Sequence, residues 1–125
     1  MNVLLDTHTF IWWLNDSKKL SERARRVISD SNNRIFVSHA TQWEIAIKSA
    51  IGRLTFPVEK LEQEVEGNGF ELLSLNTQHI MQIAHLPMYH RDPFDRLLIA
   101  QAQNESLTLL SRDEMFASYD VSLAW

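Results

Sequence analysis

Short apolar runs recur along this chain with helix-like segments between them, and few folds satisfy that alternation. Asn2 to Leu5 is continuously apolar after its first residue, rather than alternating, as expected of a strand covered on both faces of a parallel sheet. Arg34–Ser38, Phe70–Leu75 and Leu107–Ser111 read as three further strands, and Val121–Ala124 as a possible fifth. Between them the spacing predicts helices over Thr9–Leu14, Ser21–Ser31, His39–Ile51, Val58–Glu66, Thr77–Leu86 and Pro93–Glu105. Gly52 stops the third of these, Gly67-Asn68-Gly69 forms a turn, and Pro87 ends the fifth. Strands alternating with helices make βα units, hence an α/β fold with a mainly parallel sheet of four or five strands and right-handed crossovers.

In such a sheet the strand ends and the helix starts that follow them share one edge, where ligands bind. Four acidic residues fall there. Asp6 ends the first strand, Glu44 lies in the helix after the second, Asp95 in the first turn of the helix opened by Pro93, and Asp113 follows the fourth strand. Two carboxylates about 4 Å apart repel by roughly 4 kcal/mol at an effective dielectric of 20. A cluster of four therefore requires protons or a cation, and an all-oxygen ligand set favours Mg²⁺ or Mn²⁺.

Each acid also has a structural explanation. Asp6 can cap the turn after its strand. Glu44 and Lys48 have the spacing of a surface ion pair, beside an apolar stripe of Trp43, Ala46, Ile47 and Ala50. Asp92 reads as the N-cap of the Pro93 helix, with Asp95 in a first turn that welcomes acids. Ser111 and Glu114 have capping-box spacing, which puts Asp113 in a first turn as well. His8 is a weak metal candidate. It is the joint placement of all four acids at one edge that points to a site.

At 125 residues the chain is expected to form one domain, residues 1–125. The absence of cysteine excludes disulfides and thiolate metal sites and fits a reducing cytoplasm. No apolar run is long enough to span a bilayer, and Asp6 interrupts what would be a secretory signal core. Only three glycines occur, so no Gly-rich phosphate loop can be written. The net charge of −4 hides an asymmetry: residues 1–56 carry eight basic and five acidic side chains, residues 57–125 four and eleven. Lys18, Lys19, Arg23, Arg25 and Arg26 form the dense basic cluster, either a solvated helix face or a contact for phosphates or a partner. The adjacent Trp12 and Trp13 point about 100° apart in a helix, so one of them is a candidate interface residue.

Four blocks together carry a family resemblance: Leu4-Leu5-Asp6-Thr7-His8; Val37-Ser38 followed by Trp43-Glu44-Ile45-Ala46-Ile47-Lys48; His90-Arg91-Asp92-Pro93-Phe94-Asp95-Arg96-Leu97-Leu98-Ile99-Ala100-Gln101-Ala102; and Leu110-Ser111-Arg112-Asp113. In order and spacing they resemble the PIN-domain nucleases, among these the VapC toxins of bacterial toxin–antitoxin pairs, from Asn2 to about Val121. The resemblance implies a three-layer α/β/α fold and metal-dependent endoribonuclease activity. Its four acids match Asp6, Glu44, Asp95 and Asp113, which would hold one or two Mg²⁺ or Mn²⁺ ions. Asp6 and Asp95 are the expected direct ligands. Glu44 and Asp113 could ligate, act through water or position the nucleophile. Thr7 and Ser111 match supporting positions, and Arg96 and Arg112 are candidates for phosphate contact or plain salt bridges.

The resemblance further implies an RNA substrate, a cognate antitoxin covering the acidic site, and a homodimer. Competing readings are an aspartyl-phosphate phosphotransferase, which usually needs an acid where His8 stands, a receiver-type domain, and a PIN-like module that binds RNA or a partner without cutting.

Overall fold

The computed structural model describes residues 1–125. Five parallel strands, β1 (Asn2–Leu5), β2 (Arg34–Ser38), β3 (Glu71–Leu73), β4 (Thr108–Leu110) and β5 (Ser122–Ala124), form one sheet in the order β3-β2-β1-β4-β5. Six helices connect them: α1 (Thr7–Leu14), α2 (Glu22–Ser29), α3 (His39–Ala50), α4 (Leu61–Gly67), α5 (Thr77–Ile83) and α6 (Pro93–Asn104). Short 3-10 turns precede α4 (Val58–Lys60) and follow β4 (Glu114–Ser118). No helix is long and apolar enough to cross a membrane.

The sheet divides two cores, which accounts for the continuous apolar runs. Val3 and Leu5 of β1 pack with Phe10, Ala24, Ile28, Leu61 and Val65 from α1, α2 and α4. Leu4, on the other face, packs with Leu97, Leu98, Ile99 and Ala102 of α6 and with Leu107, Leu109, Phe116 and Tyr119. Helices thus cover both faces, giving the three-layer α/β/α arrangement, and Val3, Leu4 and Leu5 are all apolar because neither face of β1 meets water.

Boundaries differ from the sequence reading where capping chemistry intervenes. α1 begins at Thr7, two residues earlier than expected, because Asp6 is its N-cap and accepts a bond from the Thr9 amide at 2.8 Å. α5 stops at Ile83, three residues short. Its tail tightens into i→i+3 bonds (Ala84 to Met81, His85 to Gln82, Leu86 to Ile83) ahead of Pro87. α3 closes as expected at Gly52, whose φ of +75° permits bonds from Gly52 N to Ser49 O and from Arg53 N to Lys48 O.

The expected apolar stripe of α3 faces outward. The buried residues of this helix are Ala40, Thr41, Glu44 and Ile45, whereas Trp43 is 54% and Ile47 40% exposed. The larger apolar side chains are therefore a poor guide to the inner face. The helix turns Ala40, Thr41 and Ile45, and Glu44 with them, inward, and Thr41 and Glu44 meet α1 at Thr7.

Candidate active site

Parallel register brings distant segments to one edge. Leu5 pairs with Val37 on one side and with Leu110 on the other, so the next residues, Asp6, Ser38 and Ser111, emerge side by side at the C-terminal end of the sheet. Asp6 is 6% exposed and uses both oxygens: Oδ1 accepts the Thr9 amide, and Oδ2 accepts Ser111 Oγ at 2.5 Å. The capping role and a role at the sheet edge therefore coexist in one carboxylate. Ser111 Oγ also accepts the Asp113 amide at 3.0 Å, linking the ends of β1 and β4 through a single hydroxyl.

Asp113 is the N-cap of the Glu114–Ser118 turn, its Oδ1 accepting the Met115 amide at 2.9 Å. The capping box read from Ser111 and Glu114 does not form, because Ser111 is already engaged by Asp6 and by the Asp113 amide. Asp92 caps α6 as expected, accepting the amides of Phe94 and Asp95 at 2.9 and 3.1 Å. Asp95 is thereby left free to point away from its own helix terminus, and its Oδ2 meets His90 Nε2 at 2.8 Å.

Glu44 is only 4% exposed. Thr7 Oγ1 donates to its Oε1 at 2.7 Å, and Lys48 Nζ to its Oε2 at 2.5 Å. The i,i+4 pair read from the sequence is present, but it ties a buried acid to the edge rather than decorating a surface. Thr7 in turn contacts Thr41 Oγ1 at 3.1 Å, so α1 and α3 clamp the Glu44 side chain from both sides.

The electrostatics show how near these acids lie. Burial pushes the Asp95 carboxyl up to about 6, and the charges of Asp92, Glu44 and Asp6 push it the same way against the His90 hydrogen bond. Burial also raises Asp6, against the hydrogen bonds from Ser111 and Thr9. Asp95, Asp113 and His90 each offer a ligand atom within 4.8 Å of the others. Asp6 makes no ion pair, and nor does Asp113; Asp95 has only the imidazole. A buried Asp6 and a half-buried Asp95 without a matching cation fit a divalent metal, as the oxygen-rich donor set does.

A cleft of about 720 Å³ opens beside this edge, with Asp6, His8, Trp12, Arg112 and Asp113 among its walls. Glu44 and Asp95 do not line it. Trp12 stands between two cations, with Lys19 Nζ 5.7 Å and the Arg112 guanidinium 5.9 Å from its ring centroid. Its ring also meets Trp125 edge-on at 6.0 Å. Trp13, by contrast, turns to Phe70 and donates Nε1–H to Asn68 Oδ1 at 3.0 Å. Arg23 joins Arg112 and Asp113 in an adjoining groove.

Arg96 has neither of the roles read from the sequence. It is buried, and its guanidinium donates to the carbonyls of Ile83, Leu86, Pro87 and His90 and to Tyr119 Oη. It is the staple of the loop between α5 and α6. His8 lies outside the metal-competent group, stacked 5.7 Å from Trp12. His90 is the residue that sequence reasoning missed. Its one signal was its position five residues ahead of Asp95, in a loop whose course the sequence does not reveal.

The C-terminal edge of the sheet thus carries an oxygen-rich acidic site beside a cleft lined by Asp6, Asp113 and Glu114 together with Arg112 and Trp12. The family model for the PIN domain matches residues 3–122, and the chain belongs to that family. Solved structures agree on the fold. Similar chains occur in VapBC2 from Rickettsia felis bound to a DNA fragment from the promoter (TM-score 0.74, 16% identity, 99% of this chain and 98% of that one). Others occur in FitAcB from Neisseria gonorrhoeae (0.67, 22%, 97% and 95%) and in VapBC-1 from nontypeable Haemophilus influenzae (0.63, 20%, 99% and 97%). No curated protein matches the sequence.

Proposed function

We propose that this chain is a divalent-metal-dependent endoribonuclease and the toxin of a toxin–antitoxin pair. The observation that carries the reading is the parallel register that sets Asp6 and Ser111 side by side at one edge, where Ser111 bridges Asp6 to the Asp113 amide, the Asp113 carboxylate lies within 4.8 Å of Asp95, and the charges of Glu44 and Asp6 reach Asp95. Asp6 and Asp95 would be direct ligands of Mg²⁺ or Mn²⁺, with Glu44 and Asp113 ligating or positioning water. When bound, such an ion acidifies water near neutral pH and neutralises charge on a non-bridging phosphate oxygen.

The protein's own groups do the rest. Ser111 and the Thr9 amide hold the Asp6 carboxylate in one orientation. Thr7 and Lys48 fix Glu44 so that its position does not depend on the substrate. Lys19, Arg23 and Arg112 meet the phosphate backbone that an acidic protein would otherwise repel. Trp12 offers a face on which an unpaired base can stack, which favours single-stranded RNA.

An antitoxin would cover the same acidic cleft with a cationic side chain, and the exposed Trp43–Ile47 stripe of α3 suits a homodimer contact in the cytoplasm. The solved complexes similar in fold, one of them a toxin–antitoxin complex from Klebsiella pneumoniae, support the partner assignment.

The test is incubation of purified protein with total RNA in Mn²⁺ or Mg²⁺, with the new RNA ends sequenced. Cleavage should fall by a factor on the order of 100 or more in Asp6→Asn and in Asp95→Asn, and stop in chelator. RNA retained intact would favour the non-cutting module. Cleavage that persists in Asp6→Asn would overturn the assignment of the site.

A further inference from the structure

His90 is the one non-carboxylate group in the constellation, and its placement has a consequence for which ion the site prefers. The Nε2–Oδ2 separation between His90 and Asp95 is 2.8 Å. Two cis ligands of an ion at about 2.1 Å sit roughly 3 Å apart, so the two atoms stand at a separation one ion could share once it displaces the proton between them. Asp113 offers a carboxylate oxygen within 4.8 Å of both, while its Oδ1 caps the Met115 amide.

The imidazole is not loosely held. The His90 amide donates to Tyr119 Oη at 2.9 Å, and Tyr119 Oη donates to Pro87 O at the same distance. Arg96, buried beneath the loop, bonds Pro87 O at 2.8 Å and His90 O at 3.4 Å. Two buried side chains from α6 and the segment after β4 therefore aim this loop. A histidine serving only as a counter-ion would leave most of the nearby negative charge unmet: His90 pairs with Asp95 alone, Lys48 with Glu44 alone, and neither Asp92 nor Asp113 makes an ion pair.

We propose that His90 is a metal ligand through Nε2, completing with Asp95 and Asp113 a mixed imidazole–carboxylate set that selects Mn²⁺ and its first-row neighbours over Mg²⁺. Mg²⁺ demands oxygen ligands and keeps its waters, whereas imidazole suits the transition ions. The inference rests on the metal-dependent reading above but adds a ligand outside the four acids.

The experiment is pulsed electron paramagnetic resonance on untagged protein loaded with Mn²⁺, together with titration of Mn²⁺ against competing Mg²⁺. The wild type should show nitrogen-14 modulation. His90→Ala should lose it, and its preference for Mn²⁺ over Mg²⁺ should drop on the order of 10- to 100-fold. A thermal melt confirms that the variant is folded; if it is not, His90→Gln serves in its place. Mn²⁺ binding without nitrogen modulation, or modulation and selectivity retained in His90→Ala, would overturn the role of His90 and leave the carboxylate site intact. No Mn²⁺ binding by the wild type would overturn both.

Discussion

Asp95 shows most directly what the site costs its own fold. Burial, with the neighbouring carboxylates, pushes its carboxyl up to about 6 from an ordinary 3.8. The folded state therefore holds a proton that the unfolded chain releases over that interval. The stabilising contribution is fully present below about pH 3.8 and is lost as pH rises through about 6, a swing on the order of 3 kcal/mol. Asp6 is shifted in the same direction by burial, with the same sign. Asp95→Asn removes the ionisation, so in chelator at pH 7.5 its melting temperature should exceed that of the wild type, and the gap should close by pH 4. Saturating Mn²⁺ reverses the order: at a thousand times its dissociation constant, a ligand stabilises by about 4.1 kcal/mol, and only the wild type should respond. Melting curves of the two proteins at both pH values, with and without metal, decide the matter. An equal melting temperature for the two in chelator at pH 7.5 would refute it.

At the level of elements, the loop between α5 and α6 depends on one side chain. Arg96 donates to four carbonyls of that loop, those of Leu86 and His90 and those of Ile83 and Pro87, which also accept the Leu86 amide and the Tyr119 hydroxyl. Arg96→Ala should cost about 2–4 kcal/mol and speed amide exchange across residues 84–91 more than elsewhere. Arg96→Lys should recover little of this, because a single ammonium cannot reproduce a planar fork of donors. The α1–α3 clamp is a second such joint. Lys48→Ala leaves Glu44 buried with Thr7 as its only donor, and the expected loss is about 1–3 kcal/mol at pH 7.5. Chemical denaturation of Lys48→Ala with and without Thr7→Val in a double-mutant cycle separates the two bonds.

For the molecule as a whole, the charge asymmetry along the sequence becomes a spatial one. The acidic edge and the basic rim of Lys19, Arg23 and Arg112 flank the same cleft region, joined at Trp12 and Asp113. Lys18 is exposed, whereas Arg25 is taken up by Asp16 at 2.7 Å and Arg26 pairs with Glu22 at 3.9 Å. Changing Lys18, Lys19 and Arg23 together to alanine should weaken RNA binding. It should also reduce the slope of log affinity against log salt by about 0.7 for each phosphate no longer neutralised. Binding measured from low to moderate salt reads that slope, and an unchanged value would assign the cluster to solvent alone. The outer face of α3 belongs to a different surface. Trp43→Asp and Ile47→Asp should leave RNA binding intact and convert a dimer to a monomer by light scattering, if α3 joins the two copies.

Much of this was legible in the chain itself. Continuous apolar runs such as Val3–Leu5 require strands covered on both faces, and their alternation with helices requires parallel crossovers. Given parallel strands, acids placed just after them must share an edge, so Asp6 and Asp113 were readable from position alone. What only the tertiary structure decided was the direction in which side chains face. Trp43 and Ile47 look like a core stripe, yet α3 packs with Ala40, Thr41, Glu44 and Ile45 inward, where Thr7 of α1 bonds both Thr41 and Glu44. Arg96 looks like a phosphate ligand beside an acid, yet it is consumed by carbonyls of a loop that closes back on it. His90 joins Asp95 and Asp113 for the same reason. A side chain's partners across a loop are set by where packing directs the backbone, and no local pattern in the sequence encodes that direction.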